Sequence, residues 1–167
     1  MTINSCSTQT KRRNALYTAE QRARRDATVW TQVQGVLAIV QFAVFLGSLI
    51  LVVRFSLTGS GYAAATASVL LKTAALFAIM ITGSIWEHRV FGRWLLAPAF
   101  FWEDMVSFAV IALHAAYVVA LLGGWLTPNE LMALALVAYA AYAINAAQFL
   151  LKLRAARLEA PVREAAA

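Results

Sequence analysis

Ionisable side chains inside long apolar segments are the residues of this chain whose types and positions could do chemistry. They are two basic or imidazole groups and three carboxyl groups: Lys72, His114, Glu87, Glu103 and Asp104. Such groups are costly in a membrane and usually have a function there. Carboxyl and imidazole groups can transfer protons, and a buried lysine can bind an anion. The set suits a site for a large, flat amphiphile.

Four apolar runs must position these groups, and they cover residues 33–55, 63–86, 99–125 and 131–153. Each is longer than the roughly 20 residues that cross a hydrocarbon core of about 30 Å. Because lipid offers no hydrogen bonds to the backbone, runs of this length without two-residue alternation predict helices. Pro98 is expected to open the third of them. The sequence therefore predicts an all-α, integral membrane four-helix bundle.

Composition supports the same class, with 62% hydrophobic and only 13% charged residues. Soluble domains are about half apolar and a quarter charged, and disordered chains are poor in apolar residues. Both classes are excluded. The sequence contains no Cys/His cluster with metal-ligand spacing, no Gly-rich phosphate loop and no nucleotide fingerprint. It predicts neither a cofactor nor a metal site of the protein's own.

Basic residues indicate the orientation of the bundle. Twelve of the fourteen lie on one side of the four runs: Lys11, Arg12, Arg13, Arg22, Arg24, Arg25, Arg89, Arg93, Lys152, Arg154, Arg157 and Arg163. The positive-inside rule then predicts that both termini are cytoplasmic. A net charge of +6 is explained by this topology and by anionic lipid, without nucleic acid.

The predicted organisation has three parts. A basic N-terminal segment covers residues 1–30, the transmembrane domain covers 31–153, and a cytoplasmic tail covers 154–167. Within the first part, the spacing of Thr18 and Gln21 is that of a capping box, which predicts a short basic helix leading to the membrane surface.

Polar side chains inside the bundle fall into two layers when depth is counted at about 1.5 Å per residue. Lys72, His114 and Tyr139 lie roughly 12–17 Å below the outer ends of their helices. An inner layer, within about 12 Å of the side that carries the termini, contains Gln34, Glu87, Glu103, Asp104, Asn145 and Gln148. One face of the third helix carries polar and small residues at helical spacing: Glu103, Ser107, Val110 and His114.

Each of these residues also has a purely structural interpretation. Lys72 can extend toward the interface or pair with a neighbour, and His114 can be a hydrogen-bonded core residue. Glu103 and Asp104 can stabilise a helix start, because carboxylates there meet the positive end of the helix dipole. Asn145 and Gln148 can form helix–helix hydrogen bonds instead of taking part in catalysis. The residues alone leave these alternatives open.

Three segments, 16–38, 83–117 and 144–158, carry a resemblance to a known family. Its specific part is Trp86-Glu87, Val90-Phe91-Gly92 and Phe101-Trp102-Glu103-Asp104. On these residues the chain resembles 3-vinyl bacteriochlorophyllide hydratase, also called 2-vinyl bacteriochlorophyllide hydratase, a family of small membrane enzymes of bacteriochlorophyll synthesis. The likeness implies a multi-pass protein of the bacterial inner membrane, in its cytoplasmic or intracytoplasmic photosynthetic part.

The resemblance implies a hydro-lyase that adds water to the C3 vinyl group of a chlorophyllide and gives the 1-hydroxyethyl derivative. A proton reaches the terminal carbon, cationic character develops next to the ring, and water attacks there. Glu103, Asp104 and Glu87 are the candidate acids, since burial favours the protonated form of a carboxyl group. Glu103 is the preferred acid because it shares the face of His114, and Asp104 is the expected partner of a neighbouring helix.

Substrate binding is predicted from the same chemistry. His114 is a candidate axial ligand to the Mg²⁺ of the substrate, or a group that handles the proton of the water. The anionic propionate is expected at Arg89, Arg93 or Lys72. Tyr139 and Asn145 complete the predicted substrate-binding set.

Two orientations of the substrate stay open. With the propionate at Arg93, the vinyl group points toward Lys72 and His114. With the propionate at Lys72, it lies near Glu103. The expected partners are a chlorophyllide-type tetrapyrrole and lipid, with other pigment-synthesis enzymes or a second copy of the chain left open. The alternative function is a non-catalytic pigment-binding or assembly protein of the photosynthetic membrane.

Overall fold

A computed structural model describes the backbone of residues 16–164 and the side chains of residues 16–154. Lys11, Arg12 and Arg13 of the predicted basic segment lie outside the described residues, as do the side chains of Arg157 and Arg163. Five helices make up the described part: α1 (Ala19–Ala27), α2 (Val29–Thr58), α3 (Tyr62–Phe91), α4 (Phe101–Gly123) and α5 (Pro128–Glu164). Between residues 16 and 164 there is no strand, so the all-α prediction is confirmed.

The short helix α1 begins at the predicted capping box. The Gln21 backbone N–H donates to Thr18 Oγ1 at 3.2 Å, and the Thr18 N–H donates to Gln21 Oε1 at 2.9 Å. These reciprocal bonds satisfy backbone donors that a helix start leaves without partners. Thr28 has extended backbone angles and separates α1 from α2. The described part of the basic segment therefore contains a helix, Ala19–Ala27, that ends just before the first long helix starts.

Four helices are long and apolar enough to cross a membrane: α2, α3, α4 and the part of α5 from Pro128 to Arg154. The 30 residues of α2 extend for about 45 Å, which exceeds a hydrocarbon core of about 30 Å. Large apolar side chains such as Ile39, Leu71 and Leu122 are exposed on the outside of the bundle, as contact with lipid requires. The predicted membrane four-helix architecture is confirmed.

Helix ends follow the local sequence with one exception. Gly59 and Gly92 adopt φ of +68° and +74° after α2 and α3, a conformation that suits glycine and ends a helix. The prediction that Pro98 opens the next helix is wrong, because α4 begins at Phe101. Pro98 instead follows Ala97 in a turn, in which the Phe100 N–H donates to the Ala97 carbonyl at 2.8 Å. The fixed φ of proline favours that position.

The long helices pack as two hairpins, α2 with α3 and α4 with α5. The hairpins contact each other less extensively, through α2 with α5 and α3 with α4. Aromatic rings fill the centre: Phe45 lies 5.5 Å from Tyr139 and 4.9 Å from Tyr142, centroid to centroid. The four helices thus enclose one interior. The helices of different hairpins contact each other less than the two helices within a hairpin do.

A second aromatic cluster lies at the end of the bundle where α3 ends and α4 begins, which we call the inner end. Tyr17 is buried there, 5.8 Å from the ring of Phe91 and 6.3 Å from that of Phe100. Trp86 packs against the same rings and donates from Nε1 to Thr31 Oγ1 at 2.9 Å. Aromatic residues of the segments that carry the family resemblance, such as Trp86 and Phe91, therefore pack together at the inner end of the bundle.

Candidate functional site

Two carboxyl groups meet at the inner end of the bundle. Glu87 lies in the last turns of α3 and Asp104 in the first turn of α4, and each residue is only 5% exposed. Their carboxyl groups lie close together, and each accepts a hydrogen bond from one of two consecutive backbone N–H groups. Two ionised carboxylates at close range repel each other, so such an arrangement favours a protonated form of one of them. We call Glu87 and Asp104 the carboxyl pair.

The carboxyl pair also holds the linker between α3 and α4. The Ala97 N–H donates to Glu87 Oε2 at 3.2 Å, and the Leu96 N–H donates to Asp104 Oδ2 at 2.9 Å. Leu96 has φ of +58°, which is uncommon for a residue with a side chain. Such a conformation persists only where surrounding contacts impose it. The linker and the carboxyl pair therefore form one structural unit.

Glu103 is the sequence neighbour of Asp104 but faces a different helix. Lys152 Nζ of α5 donates to Glu103 Oε2 at 2.5 Å, and the side chains are 11% and 25% exposed for Glu103 and Lys152. The same ammonium lies 5.1 Å from the centroid of the Phe100 ring. The carboxylate of Glu103 is thus balanced by a cation, whereas Asp104 faces another carboxyl group. Sequence reasoning missed Lys152 as a partner, because 49 residues separate it from Glu103.

Lys72 lies in the middle of the bundle and is completely buried. Its Nζ donates to Gln41 Oε1 at 2.7 Å and lies 3.4 Å from the centroid of the Tyr142 ring, a cation–π contact. No carboxylate among residues 16–154 forms an ion pair with it. Gln41 was recognisable as a polar residue in an apolar helix, but nothing in the sequence distinguished Tyr142 from other core aromatics.

His114 lies in the same layer and is also completely buried. Its Nδ1 is 2.8 Å from the carbonyl oxygen of Val110, and because a carbonyl only accepts, Nδ1 carries the hydrogen. In the neutral imidazole Nε2 then holds a free lone pair. Among the described residues Nε2 has no hydrogen-bond partner. Tyr139 lies beside the ring, at 5.9 Å between centroids, and its hydroxyl is hydrogen-bonded to Ser48.

The remaining predicted site residues lie apart from this layer. Asn145 of α5 donates from Nδ2 to Ser107 Oγ of α4 at 2.8 Å, between the carboxyl pair and His114 along α4. Arg89 and Arg93 are exposed at the inner end. The structure therefore brings together Lys72, His114 and Tyr139 in a middle layer, and Glu87 with Asp104 in an inner layer, and it leaves both arginines at the surface.

Comparison with known proteins identifies the family. A family model described as 2-vinyl bacteriochlorophyllide hydratase matches residues 17–155, a range that contains every candidate site residue. The chain belongs to this family. The resemblance recognised in the sequence is confirmed.

Two relatives illustrate the closeness of the match. The chain is 60% identical over 159 residues to the 2-vinyl bacteriochlorophyllide hydratase of Rhodobacter capsulatus. The aligned region covers 95% of this chain and 92% of the relative. It is 64% identical over 145 residues to the protein of the same name from Cereibacter sphaeroides, covering 86% of this chain and 89% of the relative. No solved structure matches the chain.

Proposed function

We propose that this chain adds water to the vinyl group of a chlorophyllide-type tetrapyrrole and gives the 1-hydroxyethyl derivative, with the carboxyl pair as the proton source. The observation that carries the hydratase activity is the family match across all four membrane helices, at 60–64% identity to proteins named as hydratases. The chain is accordingly a carbon–oxygen hydro-lyase of bacteriochlorophyll synthesis. The roles of its residues rest on the geometry described above.

The carboxyl pair suits the protonation step. Because the two carboxyl groups lie close together and are buried, the pair retains one proton, and a general acid must be protonated before it reacts. The terminal carbon of the vinyl group accepts the proton, and the carbon next to the ring becomes cationic. The conjugated ring spreads this charge. A positioned acid typically accelerates such a step about 10²–10⁴-fold.

Glu103 was the preferred acid on sequence grounds, and that assignment stays a prediction. Its ion pair with Lys152 argues for a different role, because a carboxylate in an ion pair has no proton to donate. The bond between Glu103 and Lys152 joins α4 to α5 beside the carboxyl pair. We therefore assign Glu103 to positioning these helices.

The middle layer suits the body of the substrate. Lys72 is a buried amine without an anionic partner among residues 16–154, and a substrate carboxylate would stabilise its ammonium form. The free lone pair of His114 Nε2 is suited to bind the Mg²⁺ of the substrate from one face. His114 lies ten residues, or about 15 Å, along α4 from Asp104. In this orientation the propionate is at Lys72 and the vinyl group is at the carboxyl pair.

The seam between α3 and α4 is the route by which the substrate reaches these residues. The carboxyl pair spans this seam, and contacts between the two helices are sparse compared with those inside each hairpin. A flat apolar ring can enter such a seam from the lipid without crossing an aqueous phase. This assignment leaves Arg89 and Arg93 outside the site.

The orientation of the protein in the membrane follows from its charge. Both termini and the linker between α3 and α4 carry most of the basic residues, and we place them in the cytoplasm of the photosynthetic bacterium. The divisions 1–30, 31–153 and 154–167 then separate cytoplasmic from membrane parts. A reporter fused after Ala167 that is active only in the periplasm should stay silent. A periplasmic signal would contradict the topology.

Hydration is tested by absorbance and by isotope. Purified protein mixed with 3-vinyl chlorophyllide should shift the red absorption band to the blue as the vinyl group leaves the conjugated system. Product formed in heavy-oxygen water should carry the label in its new hydroxyl group. Binding of the pigment without a blue shift would instead indicate a pigment-binding protein, and a hydroxyl derived from O₂ would indicate an oxygenase.

A further inference from the structure

Two side-chain carbonyl oxygens of α5 are buried without a partner. They are Asn145 Oδ1 and Gln148 Oε1, and neither accepts a hydrogen bond from any residue between 16 and 154. Asn145 itself is 7% exposed. Residues three apart are neighbours on one helix face, so the two oxygens can serve the same ligand. Buried acceptors of this kind are nearly always satisfied, and ordered water is the usual partner when protein groups are absent.

The Asn145 side chain is held in a fixed orientation. Its Nδ2 donates to Ser107 Oγ of α4 at 2.8 Å, which directs Oδ1 away from that hydroxyl. Ser107 lies three residues beyond Asp104 and seven before His114 on α4, about 4–5 Å and about 10 Å along the helix axis. Asn145 is therefore at the depth between the proton source and the nitrogen assigned to Mg²⁺, and Gln148 lies one helical turn nearer the inner end, at about the depth of Asp104.

From this arrangement we infer that Asn145 and Gln148 bind the water molecule that attacks the substrate. The inference rests on the proposed function and extends it to the second reactant. One O–H of the water donates to Asn145 Oδ1 and the other to Gln148 Oε1, which leaves the oxygen lone pair free. Water so bound enters the reaction from a site between the helices, not from bulk solvent.

The step balances with the groups present. The carboxyl pair gives its proton to the terminal vinyl carbon, and the carbon next to the ring becomes cationic. The water oxygen forms a bond to that carbon. One proton of the attached water then returns to the carboxyl pair, which regains its starting state. The net change is addition of one water molecule, without oxidant or reductant.

Two acceptors select water over an alcohol. Water has two O–H groups and satisfies both carbonyl oxygens, whereas methanol has one O–H and leaves a buried carbonyl without a donor. Sites built to hydrogen-bond a ligand reject analogues that lack the matching group. The wild-type protein should therefore make the 1-hydroxyethyl product even in the presence of methanol. Removal of one acceptor should admit methanol and yield the 1-methoxyethyl ether.

The test uses the full-length protein, vinyl chlorophyllide and a fixed concentration of methanol, with products separated by mass. For Asn145→Ala we expect a roughly 10- to 100-fold lower kcat, a KM close to that of the wild type, and measurable ether. Gln148→Leu should also form ether, and it serves as the second variant if Asn145→Ala does not fold. Gln34→Leu is the matched control, since Gln34 only donates to Thr82 Oγ1 between α2 and α3.

Three results separate the possibilities. Ether from the two α5 variants, but not from the wild type or Gln34→Leu, supports the water site. An unchanged alcohol-to-ether ratio in both variants overturns it while leaving the hydratase activity in place. Wild-type protein that binds the pigment and forms neither alcohol nor ether overturns the proposed function, and the water site with it.

Discussion

The inner and middle layers of the bundle differ in whether their ionisable groups have partners within the protein. In the inner layer the charges are matched: Glu103 pairs with Lys152, and the carboxyl pair accepts two backbone hydrogen bonds from the linker. In the middle layer they are not. Lys72 has an amide and an aromatic ring for partners but no anion, and His114 Nε2 has no partner among the described residues.

This contrast separates reactive groups from binding groups. A layer whose charged groups have partners within the protein is preorganised before the substrate arrives. A layer with an unmatched cation and a free lone pair is completed only by a ligand that brings an anion and an electron-pair acceptor. A magnesium-containing tetrapyrrole with a propionate brings both. We therefore assign chemistry to the inner layer and substrate affinity to the middle layer.

The largest expected effect comes from the carboxyl pair. Glu87→Gln keeps the acceptor oxygen for the Ala97 N–H but removes the shared proton, and hydration should slow about 10²–10⁴-fold. Because the two residues act as one unit, the double variant Glu87→Gln/Asp104→Asn should be little slower than either single variant. The measurement is kcat by the blue shift of the absorption band. If the loss of kcat in the double variant equals the product of the losses in the two single variants, the two residues do not share one proton.

Lys72 should affect affinity rather than turnover. Lys72→Met should raise KM for the free-acid substrate roughly 10- to 100-fold, since hydrogen bonds to a charged group are worth about 1.5–3 kcal/mol. The methyl ester of the substrate should bind equally to both proteins. Ligand-free Lys72→Met should differ little in stability from the parent, because the loss of the bond to Gln41 is offset by replacing a buried amine with an apolar chain of similar volume.

The exposed Arg93 provides the matched comparison for Lys72. Arg93→Met should leave KM close to its wild-type value, because the assigned orientation places no substrate group at this arginine. If Arg93→Met raises KM and Lys72→Met does not, the substrate binds in the reverse orientation. The vinyl group would then lie in the middle layer.

A smaller effect is expected at His114, and it should depend on the metal of the substrate. His114→Phe removes the ligand nitrogen and should weaken binding of the Mg²⁺-containing substrate roughly tenfold, or about 1.4 kcal/mol. Binding of the demetallated pigment, followed by quenching of tryptophan fluorescence, should be nearly unchanged. An equal loss for both pigments would indicate that His114 only packs against Tyr139.

Hydrophobic run length made the fold predictable from the sequence. The four spans and their helical state follow from local patterns, because lipid offers the backbone no hydrogen bonds. The short helix follows from its capping box. The start of α4 did not follow, because the carboxyl pair binds the N–H groups of Leu96 and Ala97 and keeps the residues before Phe101 out of the helix. That contact joins residues 8 and 10 positions apart and is invisible to a periodicity argument.

The candidate site was predictable by residue type but not by partner. Glu87, Glu103, Asp104, Lys72 and His114 stand out as ionisable groups in apolar runs. Which carboxylate faces which neighbour depends on helix rotation and on the register of α4 against α5. A rotation of about 100° between adjacent residues sends Glu103 to Lys152 and Asp104 to Glu87. Only the packed bundle resolves that choice.

The most direct test of the account compares Asp104→Asn with Glu103→Gln in a single hydration assay, with pigment binding measured for both. Each substitution preserves shape and removes one carboxyl group. We expect Asp104→Asn to lose about 10²–10⁴-fold in kcat, whereas Glu103→Gln should stay within about tenfold of the parent. The reverse order, with Glu103→Gln inactive and Asp104→Asn nearly normal, would contradict the assignment of the proton to the carboxyl pair.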